Sequence, residues 1–346
     1  MSSTARSLPL PAKNELLRLL KEKERRRRQN GLTLYKPYPK QFEFHALGKA
    51  IRERLFMAGN QLGKTYSGGA EWAYHATGLY PEWWDGWRSD KPGVYWAASE
   101  TMEVGRDGQQ RILLGRDGDR GTGAIPGRCI VDLRAYPNVP GAVSVAQVRH
   151  VSGGLSTIVF KSYDQGRRKF QADTVNGIWF DEEPPEDIYT EGITRTNATG
   201  GPVITTFTPL LGMSNVVRRF LQESSPDRAV VNMTIDDVEH YSAEEKARII
   251  ASYPPHEREA RTKGIPTLGS GRVFPVPEDS LAVPAFELPA HFKRIGGLDF
   301  GWDHPTAAVW LAHDADTDTV YVTDCYKQRE ATPVIHAAAI KPRGEW

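Results

Sequence analysis

At 346 residues the chain has room for two domains, or for one large α/β domain with an appended piece, and it can bury a core. Lys+Arg 44 against Asp+Glu 43 leaves a net charge of +1, so gross charge draws the chain to no polyanion, and contacts of that kind must come from local basic patches. Cys129 and Cys325 stand far apart without C-x-x-C spacing, which argues against a disulfide scaffold or structural zinc, and no run approaches the ~18 apolar residues of a membrane span; a soluble protein of a reducing cytoplasm is expected.

Taken in order, Leu16, Leu17, Leu19 and Leu20 fall at helical spacing among Glu15, Arg18, Lys21 and Glu22, ahead of Arg25, Arg26, Arg27 and Arg28. This suits a basic amphipathic arm over residues 1–30, either solvated or docking on a protein or DNA. Pro37 and Pro39 then hold the chain extended before a helix from about Gln41 to Arg54. Tyr38 and Gln41 are placed to stack on an adenine and to read its edge.

The apolar run Leu55–Ala58 leads into Gly59, Asn60, Gln61, Leu62, Gly63, Lys64 and Thr65. A buried strand, a glycine-bearing turn and a helix start make a phosphate-binding loop: backbone amides curl around the anion, Lys64 reaches the β- and γ-phosphates of ATP, and Thr65 holds Mg²⁺. Ala58 stands where the usual pattern has glycine, and Gly59 is expected to relieve the turn.

A helix is expected over Tyr66–Tyr74, then packing tryptophans Trp83, Trp84 and Trp87, a buried strand Gly93–Ala98 and a polar helix with Arg106, Gln109, Gln110 and Arg111. Strand, helix, strand, helix implies a parallel sheet. Residues 116–142 read as an exposed excursion, Val143–Val148 and Leu155–Phe160 as a hairpin, and Lys161–Phe170 as a basic loop with interleaved aromatics that suits a polyanion.

Ile178–Phe180 is an apolar strand ending in Asp181, Glu182 and Glu183 and stopped by Pro184 and Pro185. In a P-loop ATPase the first acid, Asp181, holds the Mg²⁺ and the second, Glu182, polarises the attacking water. The competing reading is a hairpin turn at Asn176-Gly177 followed by an acidic loop. A further strand, Pro202–Phe207, brings Thr206 and Thr208 to its C-terminal end, where hydroxyls can sense the γ-phosphate.

Residues 212–285 change character, with a capping box at Ser242–Glu245 and Gly264 closing a second helix, and read as a small helical lid or linker. From 286 the chain starts afresh: Arg294–Gly301 is a strand ending in Asp299, suited to the first carboxylate of a two-metal nuclease.

These motifs together resemble the large terminase subunit of tailed bacteriophages. The resemblance rests on Gly59–Thr65, Ser162–Arg167, Trp179–Pro184, Thr206–Pro209 and Gly297–Gly301, and runs over nearly the whole chain. It implies a RecA-like ATPase of the additional-strand type with a mostly parallel sheet over 31–211, a lid over 212–285, and an RNase H-like nuclease begun over 286–346, with Mg²⁺ or Mn²⁺ as its metals. It also implies ATP-driven translocation of double-stranded DNA into a prohead, in the cytoplasm of an infected bacterial host. The expected partners are the portal protein, the small terminase subunit and further copies in a ring.

Two departures shape the expectations. Some relatives carry an arginine finger inside the phosphate loop, where this chain has Asn60; Arg167 is the first replacement, with Arg106 and Arg111 behind it. The chain also stops soon after Asp299, with Asp303, Asp324 and Glu330 as the remaining acids, so the nuclease is expected to be truncated, exposed at its sheet edges and unable to cut DNA. Two other readings are a superfamily-2-like helicase, which would need a second RecA-like domain, and an inactive DNA-binding or assembly module.

Overall fold

Strand β1 (Glu53–Ala58) is buried along its whole length, Leu55 and Met57 facing one way and Phe56 and Ala58 the other. The computed structural model describes residues 10–28, 30–171, 173–266, 281–302 and 304–343. Two units, Met1–Pro277 and Glu278–Trp346, divide the chain.

In the first unit α1 (Leu10–Arg28) leaves Leu16, Leu17, Leu19 and Leu20 exposed. Helix α2 (Pro39–Leu47) follows, with proline at its first position. It is shorter than expected, because the chain enters β1 at Glu53. Glu53 and Arg54 look like surface helix residues in sequence, yet both are buried.

Helix α3 (Lys64–Thr77) leads to β2 (Val94–Ser99). Next comes a broken helix: α4 (Met102–Gly105), a wide π-turn through Arg106–Gln110, and α5 (Arg111–Leu114). Strands β3 (Ile130–Ala135), β4 (Val143–Arg149) and β5 (Leu155–Ser162) form an antiparallel meander, the last two being the expected hairpin.

The expected excursion 116–142 is only partly exposed. Ala124, Ile125, Cys129, Val139 and Ala142 are buried in the core on the α3 side, and β3 joins the sheet edge.

Then follow β6 (Gly177–Asp181), α6 (Glu186–Thr196), β7 (Val203–Phe207), α7 (Asn215–Leu221) and β8 (Arg228–Met233). Helices α8 (Ala243–Ser252) and α9 (Arg258–Lys263) follow.

The sheet order is β3-β4-β5-β2-β6-β7-β1-β8, and every pair from β5 to β8 is parallel. Strand β6 lies between β2 and β7 rather than in a hairpin at Asn176-Gly177. Strand β8 also corrects the helical reading of 212–285: its consecutive Ala229, Val230 and Val231 pair with β1 as an edge strand.

Apolar side chains on both faces explain why the central strands read as continuous runs. On the α3 face lie Phe44, Phe56, Trp72, Tyr95, Trp179 and Ile204; on the other lie Leu55, Trp96, Phe180, Tyr189, Phe207 and Val217. The expected tryptophan packing is present, with Trp84 buried and Trp87 meeting His75 edge-on at 4.9 Å.

The second unit holds β9 (Lys293–Asp299), β10 (Thr306–Asp314), β11 (Thr319–Gln328) and α10 (Pro333–Ile340). Its three strands are antiparallel with β10 in the centre. Ile295, Leu298, Val320 and Val322 are exposed on the flanking strands. Among the described residues no helix is long and apolar enough to cross a membrane.

Candidate active site

At the C-terminal ends of the parallel strands the chain turns from β1 through Gly59–Gly63 into α3. Gln61 (φ 59) and Gly63 (φ 84) take left-handed backbone there. A Cβ at Gly59 would collide with the Arg261 carbonyl, which accepts the Asn60 amide at 2.8 Å. Glycine is therefore needed at 59, while Ala58 remains the last buried residue of β1.

Gln41 is buried beside the loop; its Nε2 donates to the Gly63 carbonyl at 3.3 Å and its Oε1 accepts the Tyr38 amide at 2.9 Å. The Tyr38 hydroxyl lies 2.5 Å from His240 Nδ1.

Behind the loop a buried polar chain ties it to the core. The Tyr35 hydroxyl meets Ser67 Oγ and His45 Nε2, each at 3.0 Å, and His45 Nδ1 meets Glu71 at 2.7 Å. Arg54 donates to the same carboxylate at 2.5 Å, and His75 Nε2 lies 3.3 Å from it. Burial alone would raise the Glu71 carboxyl, but Arg54, His45 and His75 together hold it well below the usual carboxylate range.

On the far side of β7 from the loop, β6 delivers the acids. Asp181 is buried, accepting from Thr206 Oγ1 at 2.7 Å and from Thr65 Oγ1 at 3.1 Å. Thr206 in turn accepts the Trp179 indole N–H at 2.8 Å, which fixes its hydroxyl toward Asp181. Burial, then the neighbouring Glu182 carboxylate, push Asp181 up to about 7 against the pull of Thr206, Lys64 and Thr65.

Lys64 Nζ donates to Thr208 Oγ1 at 2.8 Å and lies 3.7 Å from Glu182. Thr208 Oγ1 lies 2.9 Å from the Ala58 carbonyl and 3.0 Å from Asn60 Oδ1, joining the loop to the end of β7. Burial also raises the Glu182 carboxyl, with Lys64 opposing. Glu182 has φ 66, its amide donates to the Thr206 carbonyl at 2.9 Å, and its carbonyl accepts the Tyr163 hydroxyl at 2.9 Å.

A loop amide cradle, a lysine, a hydroxyl beside a buried acid and a second acid form the constellation of nucleotide hydrolysis. A family model described as "Terminase large subunit, T4likevirus-type, N-terminal" matches residues 55–279, and one described as "Terminase RNaseH-like domain" matches 296–346. The large terminase subunit of Salmonella phage P22 is 47% identical over 94% of this chain and 70% of that protein. The chain belongs to the large terminase subunit family.

That of Enterobacteria phage LP7 is 46% identical over 54% of this chain and 39% of its own length. Among solved structures, the large terminase of a thermophilic bacteriophage aligns over 89% of this chain and 74% of that one, at 14% identity and a TM-score of 0.48. The family is that of the motors of phage genome packaging.

In this member of the family the remaining candidates lie apart. Arg167 is exposed on the turn after β5 and donates to Glu191 at 3.1 Å. Arg106 pairs with Asp107 at 2.8 Å, and Arg111 is exposed. Asp299 and Glu330 are exposed, Asp324 is held by Arg343 at 2.7 Å, and Asp303 lies outside the described residues. The described residues place His291, Asp314 and Asp316 close enough to share a cation, but that group does not include Asp299.

Sequence reasoning assigned no role to Tyr163, Trp179, Tyr35, His45, Glu71 or the Arg261 carbonyl. Tyr163 and Trp179 fall inside the quoted motifs, which was a usable signal. A backbone acceptor such as Arg261 leaves none.

Proposed function

We propose that this chain hydrolyses ATP and couples the cycle to translocation of double-stranded DNA into a prohead. The observation that carries the reading is the meeting of Lys64, Thr65, Asp181, Glu182 and Thr208 at the ends of β1, β6 and β7. The Gly59–Thr65 amides and the positive end of α3 cradle the phosphates, with Gly59, Asn60, Gln61, Leu62 and Gly63 supplying the turn and Lys64 the clamp. Tyr38 and Gln41 bound the adenine.

The oxygens of Thr65 and Asp181, 3.1 Å apart, are hard donors that suit Mg²⁺. When bound, that ion neutralises charge on the phosphate oxygens. Glu182, its carboxyl raised by burial, orients the attacking water and takes its proton. Thr208, shared between Lys64 and the loop, relays loss of the γ-phosphate toward the lid. Arg167, exposed beside Glu191, is the candidate finger and suits a neighbouring copy in a ring on the portal protein, with double-stranded DNA and the small terminase subunit as further partners.

The proposed chemistry of this chain is ATP hydrolysis rather than DNA cleavage: Asp299 and Glu330 are exposed, and Asp324 is held by Arg343 at 2.7 Å. Plasmid incubated with it and Mn²⁺ should stay intact, and cleavage lost in Asp299→Ala would overturn this part.

The main test is ATP turnover of Glu182→Ala and Lys64→Ala. A loss of ~10²–10⁴-fold is expected for the base. Parental rates in both variants would refute the assignment. Forked DNA separates this reading from a helicase: a packaging motor consumes ATP on duplex without opening the fork.

A further inference from the structure

Tyr163 begins the short turn Tyr163–Gln165 after β5 and is buried, its ring against Phe180 at 6.3 Å. Its hydroxyl lies 2.9 Å from the Glu182 carbonyl, 3.2 Å from that of Asp181 and 3.3 Å from that of Ala98. A phenol has one proton to donate, and the Glu182 carbonyl is its nearest acceptor. Burial lifts the phenol's pKa well above its ordinary value, so the donor stays protonated.

Glu182 needs such a donor. A left-handed φ of 66 at a residue with a Cβ costs roughly 1–3 kcal/mol and persists only where the surroundings over-determine it. Its amide is tied to β7 through the Thr206 carbonyl. Downstream, Pro184 and Pro185 have no N–H to anchor the turn. On the carbonyl side the donor is the Tyr163 hydroxyl, which reaches it from the turn after β5.

We infer that Tyr163 is a positioning residue for hydrolysis: its hydroxyl holds the Glu182 backbone in the left-handed turn that aims the carboxylate toward Lys64 and the attacking water. The inference rests on the ATPase reading above. It separates the aim of the base from the binding of the nucleotide, because the phosphate loop does not touch Tyr163 through any hydrogen bond among the described residues.

Tyr163→Phe keeps the ring and removes the donor. In the full chain, assayed well below its unfolding temperature, kcat should fall about 10- to 100-fold, the cost of misplacing a reacting group by about 1 Å. KM and the Kd of ATP-γ-S should stay within about 2-fold.

In a Glu182→Gln background, adding Tyr163→Phe should change the residual rate by less than about 2-fold, since the hydroxyl acts through that carboxylate. 4-Aminophenylalanine at 163, which retains a donor, should keep at least about half of the parental kcat.

The inference is overturned if Tyr163→Phe keeps kcat within about 2-fold of the parent, if kcat and affinity fall together, or if the two losses multiply in the double variant. Should the Phe variant not fold, the 4-aminophenylalanine protein decides alone, and a kcat below about one tenth of the parent's sinks the idea. A parent without turnover would instead defeat the ATPase reading, which is a different result.

Discussion

The two sheets of this chain treat their residues in opposite ways. In β1, β6 and β7 every residue is buried, whereas every residue of β9 is exposed. Both β6 and β9 end in an aspartate. Asp181 sits among Thr65, Thr206 and Glu182 with its carboxyl pushed up to about 7; Asp299 ends an exposed edge strand. The same residue at the same place on a strand thus gains buried hydrogen-bond partners only where two covered faces remove water.

The sharpest way to break this comparison is inside the covered sheet. Glu71→Ala leaves the Arg54 guanidinium fully buried with its main ionic partner gone, and should destabilise the first unit by about 3–5 kcal/mol in urea melts. A loss under about 1 kcal/mol would mean that the buried network is not what holds α3 to β1.

A smaller effect is expected from pH. The folded-state pKa of Asp181 is raised from 3.8 to about 7, so folded protein binds this proton more tightly than unfolded chain. Its contribution to stability is therefore full below about pH 4 and is lost as pH rises through about 7. In metal- and nucleotide-free protein, Asp181→Asn should gain stability relative to the parent between about pH 4 and about pH 8. A pH-independent difference in urea midpoints would contradict the raised value.

The smallest effect belongs to the exposed sheet. Ile295→Thr on β9 should change the stability of the second unit by no more than about 0.5 kcal/mol, because the side chain is exposed. A cost of about 2 kcal/mol would show that the residue is covered in solution, and would erase the contrast between the sheets.

Much of the site was legible because its parts are short and local. Gly59–Thr65 and Ile178–Glu183 each join an apolar run to a turn, so both stand out without any tertiary knowledge, and the structure brings them together. The start of β1 reads as surface helix because Glu53 and Arg54 are charged. Their partners, Tyr189 at 3.1 Å for Glu53 and Glu71 for Arg54, come from distant segments.

The same holds for β8, whose partner strand lies some 175 residues earlier in the chain, at Glu53–Ala58 against Arg228–Met233. Tyr163 shows the limit most clearly. Its acceptors are main-chain carbonyls on β2, at the end of β6 and in the turn beyond it, and a carbonyl looks alike under every side chain.

The wide turn through Arg106–Gln110 carries a consequence of rotational phase. It lets two consecutive residues point inward: Gln109 donates to the Ala98 carbonyl at 3.2 Å, while Gln110 grips Val143 through both its carbonyl and its amide at 3.0 and 2.8 Å. Gly108, in the same turn, brings its backbone alongside Asp181. Removing one residue here would restore an ordinary helix but rotate everything beyond it by about 100°. Leu113 and Leu114, now buried, would swing off the core. A single-codon deletion in this turn should therefore be far worse tolerated than any single substitution at its exposed Asp107, for it shifts the azimuth of half a helix at once.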